Sequence, residues 1–135
     1  MQPEQLSVHH RVVVVDDMPL KLRGHCGWLS DSGFRDVVPL NFHQALTYDR
    51  WGEAHTLVVD GMDEDKDSVR EHWILKMDQD DPTFRDERYM GVRVVEAARQ
   101  ASRDLVITVV SSFVEKSPAM VERFYEVGAN YIYSH

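Results

Sequence analysis

The 135-residue sequence predicts an α/β protein built on a doubly wound, five-stranded parallel sheet. Three observations carry that expectation. Short apolar, β-branched runs alternate along the chain with segments of helical periodicity. The clearest run, Arg11 to Val15, is continuously apolar after its first residue, as a strand covered on both faces should be. Three of the runs end in acidic or hydroxyl residues, at the carboxyl ends of strands where open α/β sheets bind ligands.

The elements follow in order. Arg11 to Val15 is the first strand, and Met18 to Ser30 a helix with Leu22, Cys26 and Leu29 on one face. Gly33 stands where a helix stop belongs. Val37 to Leu40 is the second strand, after which Asn41 caps a helix carrying Ala45, Leu46 and Tyr48. Thr56 to Val59 forms the third strand and ends in Asp60. Gly91 to Ala101 is helical by the spacing of Val94, Val95 and Ala98, and Leu105 to Val110 is the fourth strand, ending in Ser111 and Ser112. Pro118 to Val127 is a helix stopped by Gly128, and Tyr131 to Tyr133 is the fifth strand. Strands alternating with helices imply right-handed crossovers and a sheet covered on both faces.

The length fits a single domain spanning 1–135 that buries a core without cross-links. Cys26, the one cysteine, excludes an internal disulfide and reads as core. The polar opening from Gln2 to His10 is no secretion signal, and no apolar run is long enough to span a membrane, so the cytoplasm is the expected compartment. Fifteen basic against twenty-three acidic residues give a net charge of −8, which argues against a direct grip on nucleic-acid phosphates. Residues 61–90 hold ten of the acids and five Lys or Arg, and form an acidic insert.

Asp16 and Asp17 are the first candidate site. Adjacent carboxylates repel, so ionising both is costly unless a divalent cation offsets the charge. The competing structural role is that Asp17 caps the helix that follows, which explains one acid and not the other. Asp60 and Ser111 end neighbouring strands on the same edge of the sheet. The set offers oxygen ligands suited to Mg²⁺, and a carboxylate there can receive a phosphoryl group.

With these residues in place, Val12 to Asp17, then Val58 to Asp60, Val109 to Ser112, and Gly128 with Ala129 resemble the response-regulator receiver family of two-component signalling. The likeness covers nearly all the chain except the insert. The stretch Asp16 to Leu20 with Arg23 and Gly24 is similar to receivers that carry a helix-turn-helix output domain. The resemblance implies a flavodoxin-like strand order, 2-1-3-4-5. It implies Asp60 as phosphoacceptor, Mg²⁺ held by Asp16, Asp17, Asp60 and the main-chain carbonyl of Met62, and Ser111 as switch hydroxyl. It also implies a sensor histidine kinase or small phosphodonor as partner, a homodimer, and control of transcription through an output domain that alone contacts DNA.

Three departures from the family qualify this. The lysine at the end of its fifth strand is replaced: an ungapped alignment from Gly128 puts His135 there, whereas one deletion puts Ser134 there and makes Tyr131 the aromatic switch. His carries its charge only in part near neutrality, and Ser carries none. The insert replaces a short loop; Ser68 and Glu71 have capping-box spacing, and Val69, Trp73, Ile74 and Met77 share a helical face, predicting a short amphipathic helix. The last helix of the family is missing, which predicts a bare apolar sheet face on a piece cut from a longer protein, or one covered by another chain.

Other sites are weaker. Asp63, Asp65 and Asp67 imitate the opening of a calcium loop, but Ser68 replaces the glycine and Ile74 stands at the bidentate position. His9 and His10 read as ordinary solvated residues. The leading function is a phosphorylated regulatory domain, not an enzyme. The alternative is a pseudo-receiver that acts without phosphorylation, by dimerisation or binding of a small ligand. A Mg²⁺-dependent phosphohydrolase lacks the Asp-x-Asp pair that it would need.

Overall fold

A computed structural model describes residues 10–16, 18–60, 90–111 and 118–134. The helix expected within 61–90 and the acids Asp63, Asp65 and Asp67 lie outside the described residues. Five parallel strands form one sheet in the order β2-β1-β3-β4-β5. They are β1 (Arg11–Val15), β2 (Asp36–Leu40), β3 (Thr56–Asp60), β4 (Val106–Val110) and β5 (Tyr131–Tyr133). The connecting helices are α1 (Pro19–Asp31), α2 (Phe42–Leu46), α3 (Met90–Ala101) and α4 (Pro118–Glu126), with a 3-10 turn at Trp51–Glu53. The strand order is the one expected.

Register decides which residues share a face, because successive strand residues point to opposite sides. Val13 and Val15 lie level with Leu57 and Val59, which lie level with Ile107 and Val109. All six are fully buried, and Phe42 and Ala45 of α2, Val92, Val94, Val95 and Ala98 of α3, and Phe124 of α4 close over them. Val12 and Val14 point the other way, into a smaller cluster with Leu29, Leu22 and Cys26 of α1 and Phe34 and Val37. That second face is covered only in part: Val106, Tyr131 and Tyr133, which share it by register, are 41, 53 and 56% exposed. Among the described residues, that face of β4 and β5 is therefore part-exposed.

Several boundaries move by a residue or more. The N-cap position of α1 is Met18, in extended backbone and without a side-chain cap, with Pro19 in the first turn where its missing N–H costs nothing. α2 ends at Leu46, so Tyr48 lies beyond it and stands edge-on to Trp51 at 4.8 Å, making Trp51 a core residue of a segment the sequence left unassigned. The Asn41 cap is as expected, and it is reciprocal: the Gln44 backbone N–H donates to Asn41 Oδ1 at 2.8 Å, and the Asn41 N–H donates to Gln44 Oε1 at 2.9 Å. β4 begins at Val106, with Leu105 buried just ahead of it. Cys26 is half-buried in the smaller cluster, and burial pushes its thiol pKa up, away from reactive thiolate.

The turn into β5 is held by one side chain. Gly128 has φ +120, in the region that favours glycine, and its carbonyl accepts from Arg99 Nε at 3.1 Å and Nη2 at 2.9 Å. Asn130 Oδ1 accepts from Arg99 Nη2 and from the Ile107 backbone N–H, at 2.7 and 2.8 Å. Arg99 thus ties the end of α3 to the turn and, through Asn130, to β4.

Candidate functional site

β1, β3 and β4 are adjacent in the sheet, so Asp16, Asp60 and Ser111 come to one edge. Each is almost wholly removed from solvent, at 1, 3 and 1% exposure. Burying a carboxylate is costly without a compensating charge or hydrogen bond. Asp16 meets part of that cost locally, since its Oδ1 accepts from the Met18 backbone N–H at 3.0 Å and so shapes the turn into α1. Its Oδ2 is buried and has no hydrogen-bond partner.

α1 brings a lysine ammonium and an imidazole to the two acids. Lys21 Nζ stands 3.7 Å from Asp60 Oδ2, and His25 Nε2 stands 3.7 Å from Asp16 Oδ2. The two basic residues are four apart, so they occupy one stripe of the helix, beside the Leu22–Cys26–Leu29 stripe that faces the sheet. Neither was singled out from the sequence. Their signal was that i, i+4 spacing on the helix directly after the acid pair.

Of the expected metal ligands, Asp16 and Asp60 are brought together; Asp17 and Met62 lie outside the described residues. Among the described residues, one group of metal-binding side chains occurs, Asp16, His25 and Asp60, with ligand atoms all within 4.8 Å of one another. The orphaned buried oxygen and the two carboxylates suit a divalent cation. Ser111 is buried on the same edge. Tyr131 is exposed and packs beside Tyr133, their ring centroids 6.4 Å apart. Ser134 is exposed just after β5, and His135 lies outside the described residues.

No protein-family model matches the chain, and no curated protein matches it. Solved structures do. A pilus assembly protein, CpaE, of Burkholderia thailandensis matches with TM-score 0.60 at 12% identity, over 93% of this chain and 84% of that one. A response regulator of Burkholderia pseudomallei, carrying a phosphorylated aspartic acid, a calcium ion and citrate, matches with TM-score 0.59 at 13% identity, over 93% of this chain and 59% of that one. The isolated receiver domain of RcsB from Salmonella enterica serovar Typhimurium, with a beryllium fluoride phosphomimetic, matches with TM-score 0.56 at 17% identity, over 92% and 75%. The chain therefore has the flavodoxin-like fold of response-regulator receiver domains. Among the described residues no helix is long and apolar enough to cross a membrane.

Proposed function

We propose that this chain is the signal-receiving domain of a response regulator, accepting a phosphoryl group on Asp60 and controlling a transcriptional output domain that contacts DNA. The observation that carries the reading is the convergence of buried Asp16, Asp60 and Ser111 at one sheet edge, with a lysine ammonium 3.7 Å from the acceptor carboxylate. A general fold likeness would not require that arrangement.

The chemistry is a displacement at phosphorus. An oxygen of Asp60 attacks as the P–N bond to a kinase histidine, or the P–O bond of a small acyl phosphate, breaks and its electron pair leaves with the donor. The product is an acyl phosphate on Asp60. Asp16, Asp17, Asp60 and the Met62 carbonyl would hold Mg²⁺, which when bound would neutralise charge on the phosphoryl oxygens. Lys21 supplies a second positive charge from α1, where the family uses a lysine after β5. Ser111, on the strand next to Asp60, then takes a hydrogen bond position toward the phosphoryl group. A homodimer, a sensor histidine kinase or small phosphodonor as donor, and a cytoplasmic location of this chain fit this role.

Incubating the chain with Mg²⁺ and a small phosphodonor should add one phosphate in intact-mass measurement, and Asp60→Asn should abolish the addition. An unmodified wild-type mass would sink the reading. A second reading, the pseudo-receiver acting through dimerisation or a small ligand, is favoured by the position after β5 that the family gives to lysine, which falls here on His135 or on exposed Ser134. It requires that Asp60→Asn leave the output of the full-length protein unchanged.

A further inference from the structure

Lys21 and His25 share a helical stripe but do different things to the acid pocket. Lys21 can only neutralise it, whereas His25 can also donate a lone pair. His25 Nε2 and Asp16 Oδ2 face each other at 3.7 Å, too far for a hydrogen bond and close to the separation of two ligands on one ion. With bonds of about 2.1 Å, two ligands of one ion lie at most about 4.2 Å apart. The three ligand atoms of Asp16, His25 and Asp60 all lie within 4.8 Å, so closure needs only a small side-chain movement. Asp16 Oδ2 is the second sign of a ligand: it belongs to a side chain 1% exposed, and it has no hydrogen-bond partner.

We infer that His25 is a nitrogen ligand that makes this pocket a binding site for a borderline transition-metal dication, of the Zn²⁺ or Co²⁺ type, alongside its use of Mg²⁺. Imidazole nitrogen suits such ions, while Mg²⁺ demands oxygen and gains nothing from the ring. The proposal rests on the acid pocket of the preceding section being a cation site; it does not rest on phosphoryl transfer. His25 is a third exposed, so the ring can swing toward the ion without opening the core.

The test titrates the full chain with Co²⁺, followed by visible absorption, and separately with Mg²⁺ by calorimetry. His25→Ala should weaken Co²⁺ binding at least tenfold and change the Co²⁺ spectrum, with Mg²⁺ affinity held within about twofold. His25→Gln, which keeps a hydrogen-bonding side chain of similar reach, should behave as His25→Ala does. Loss of Co²⁺ and Mg²⁺ affinity in equal measure would show that His25 acts only on the pocket's structure and overturn the inference. So would Co²⁺ binding indifferent to both variants, which leaves His25 as a charge partner of Asp16. Phosphate addition in the same preparations separates the two readings: a His25-dependent Co²⁺ site with no phosphate addition removes the phosphoacceptor role alone, and phosphate addition with His25-independent Co²⁺ binding removes this inference alone.

Discussion

Replacing Lys21 by Met removes the ammonium beside Asp60 while keeping most of the apolar stem. At 3.7 Å, and with the effective dielectric of about 20 that suits protein charge pairs, the direct attraction is about 4.5 kcal/mol. Water reduces that figure, because the Lys21 side chain is 34% exposed although that of Asp60 is only 2% exposed. Lysine also regains side-chain entropy when the pair is broken. A net loss of about 1–2 kcal/mol is expected, between the values for surface and buried pairs. Urea unfolding in the presence of a chelator should show it. Saturating Mg²⁺ should then stabilise the variant more than the wild type, because the dication binds without displacing an ammonium, and about 1.4 kcal/mol corresponds to tenfold in cation affinity. An equal loss with and without Mg²⁺, or no loss at all, would refute the reasoning: the first makes Lys21 a packing residue, and the second makes its charge idle.

Gly128→Ala should destabilise the fold by about 2 kcal/mol in urea unfolding, since the new Cβ would stand 2.5 Å from Arg99 Cγ in a backbone of φ +120. Asn41→Ala should cost about 1 kcal/mol by the same measurement, through loss of the reciprocal cap on α2. His10, whose Nε2 lies 2.7 Å from Thr56 Oγ1, has its pKa lowered, first by burial and then by His55. Between that lowered value and the ordinary histidine value of 6.5 the unfolded chain binds more protons, so His10's contribution is complete above 6.5 and is lost as the pH falls through this window. Urea midpoints at about pH 7 and about pH 5 should therefore differ less in His10→Gln than in the wild type.

The sheet was legible because β1 is buried on both faces after its first residue, and β3 and β4, buried on one face and part-covered on the other, still read as nearly unbroken apolar runs. Their carboxyl ends were legible for the same reason: Asp60 and Ser111 follow hydrophobic runs that leave little doubt about where the strand stops. The cations of α1 were not legible. A lysine or histidine on a helix ordinarily reads as part of a solvated face, and whether it leans over the strand ends depends on where the helix sits, which Met18 and the Asp16 turn decide. Trp51 was missed on different grounds, since a three-residue turn has no periodicity to detect. Tyr48 was placed on a helix because its spacing from Ala45 fits one, yet the backbone turns away at Thr47.

Charge balance unites the pocket's departures from the receiver pattern. Asp16 and Asp60 are buried, and two uncompensated buried carboxylates would each cost several kcal/mol. A lysine after β5 would meet that cost from the far side of the sheet edge. Here the Lys21 ammonium meets part of it from α1, with the His25 ring four residues on facing Asp16, on a helix whose start is fixed by Asp16 itself. The same short segment therefore sets the acid, the turn and the counter-charges. It also couples the charge on Asp60 directly to α1, the one helix that covers its face of the sheet among the described residues.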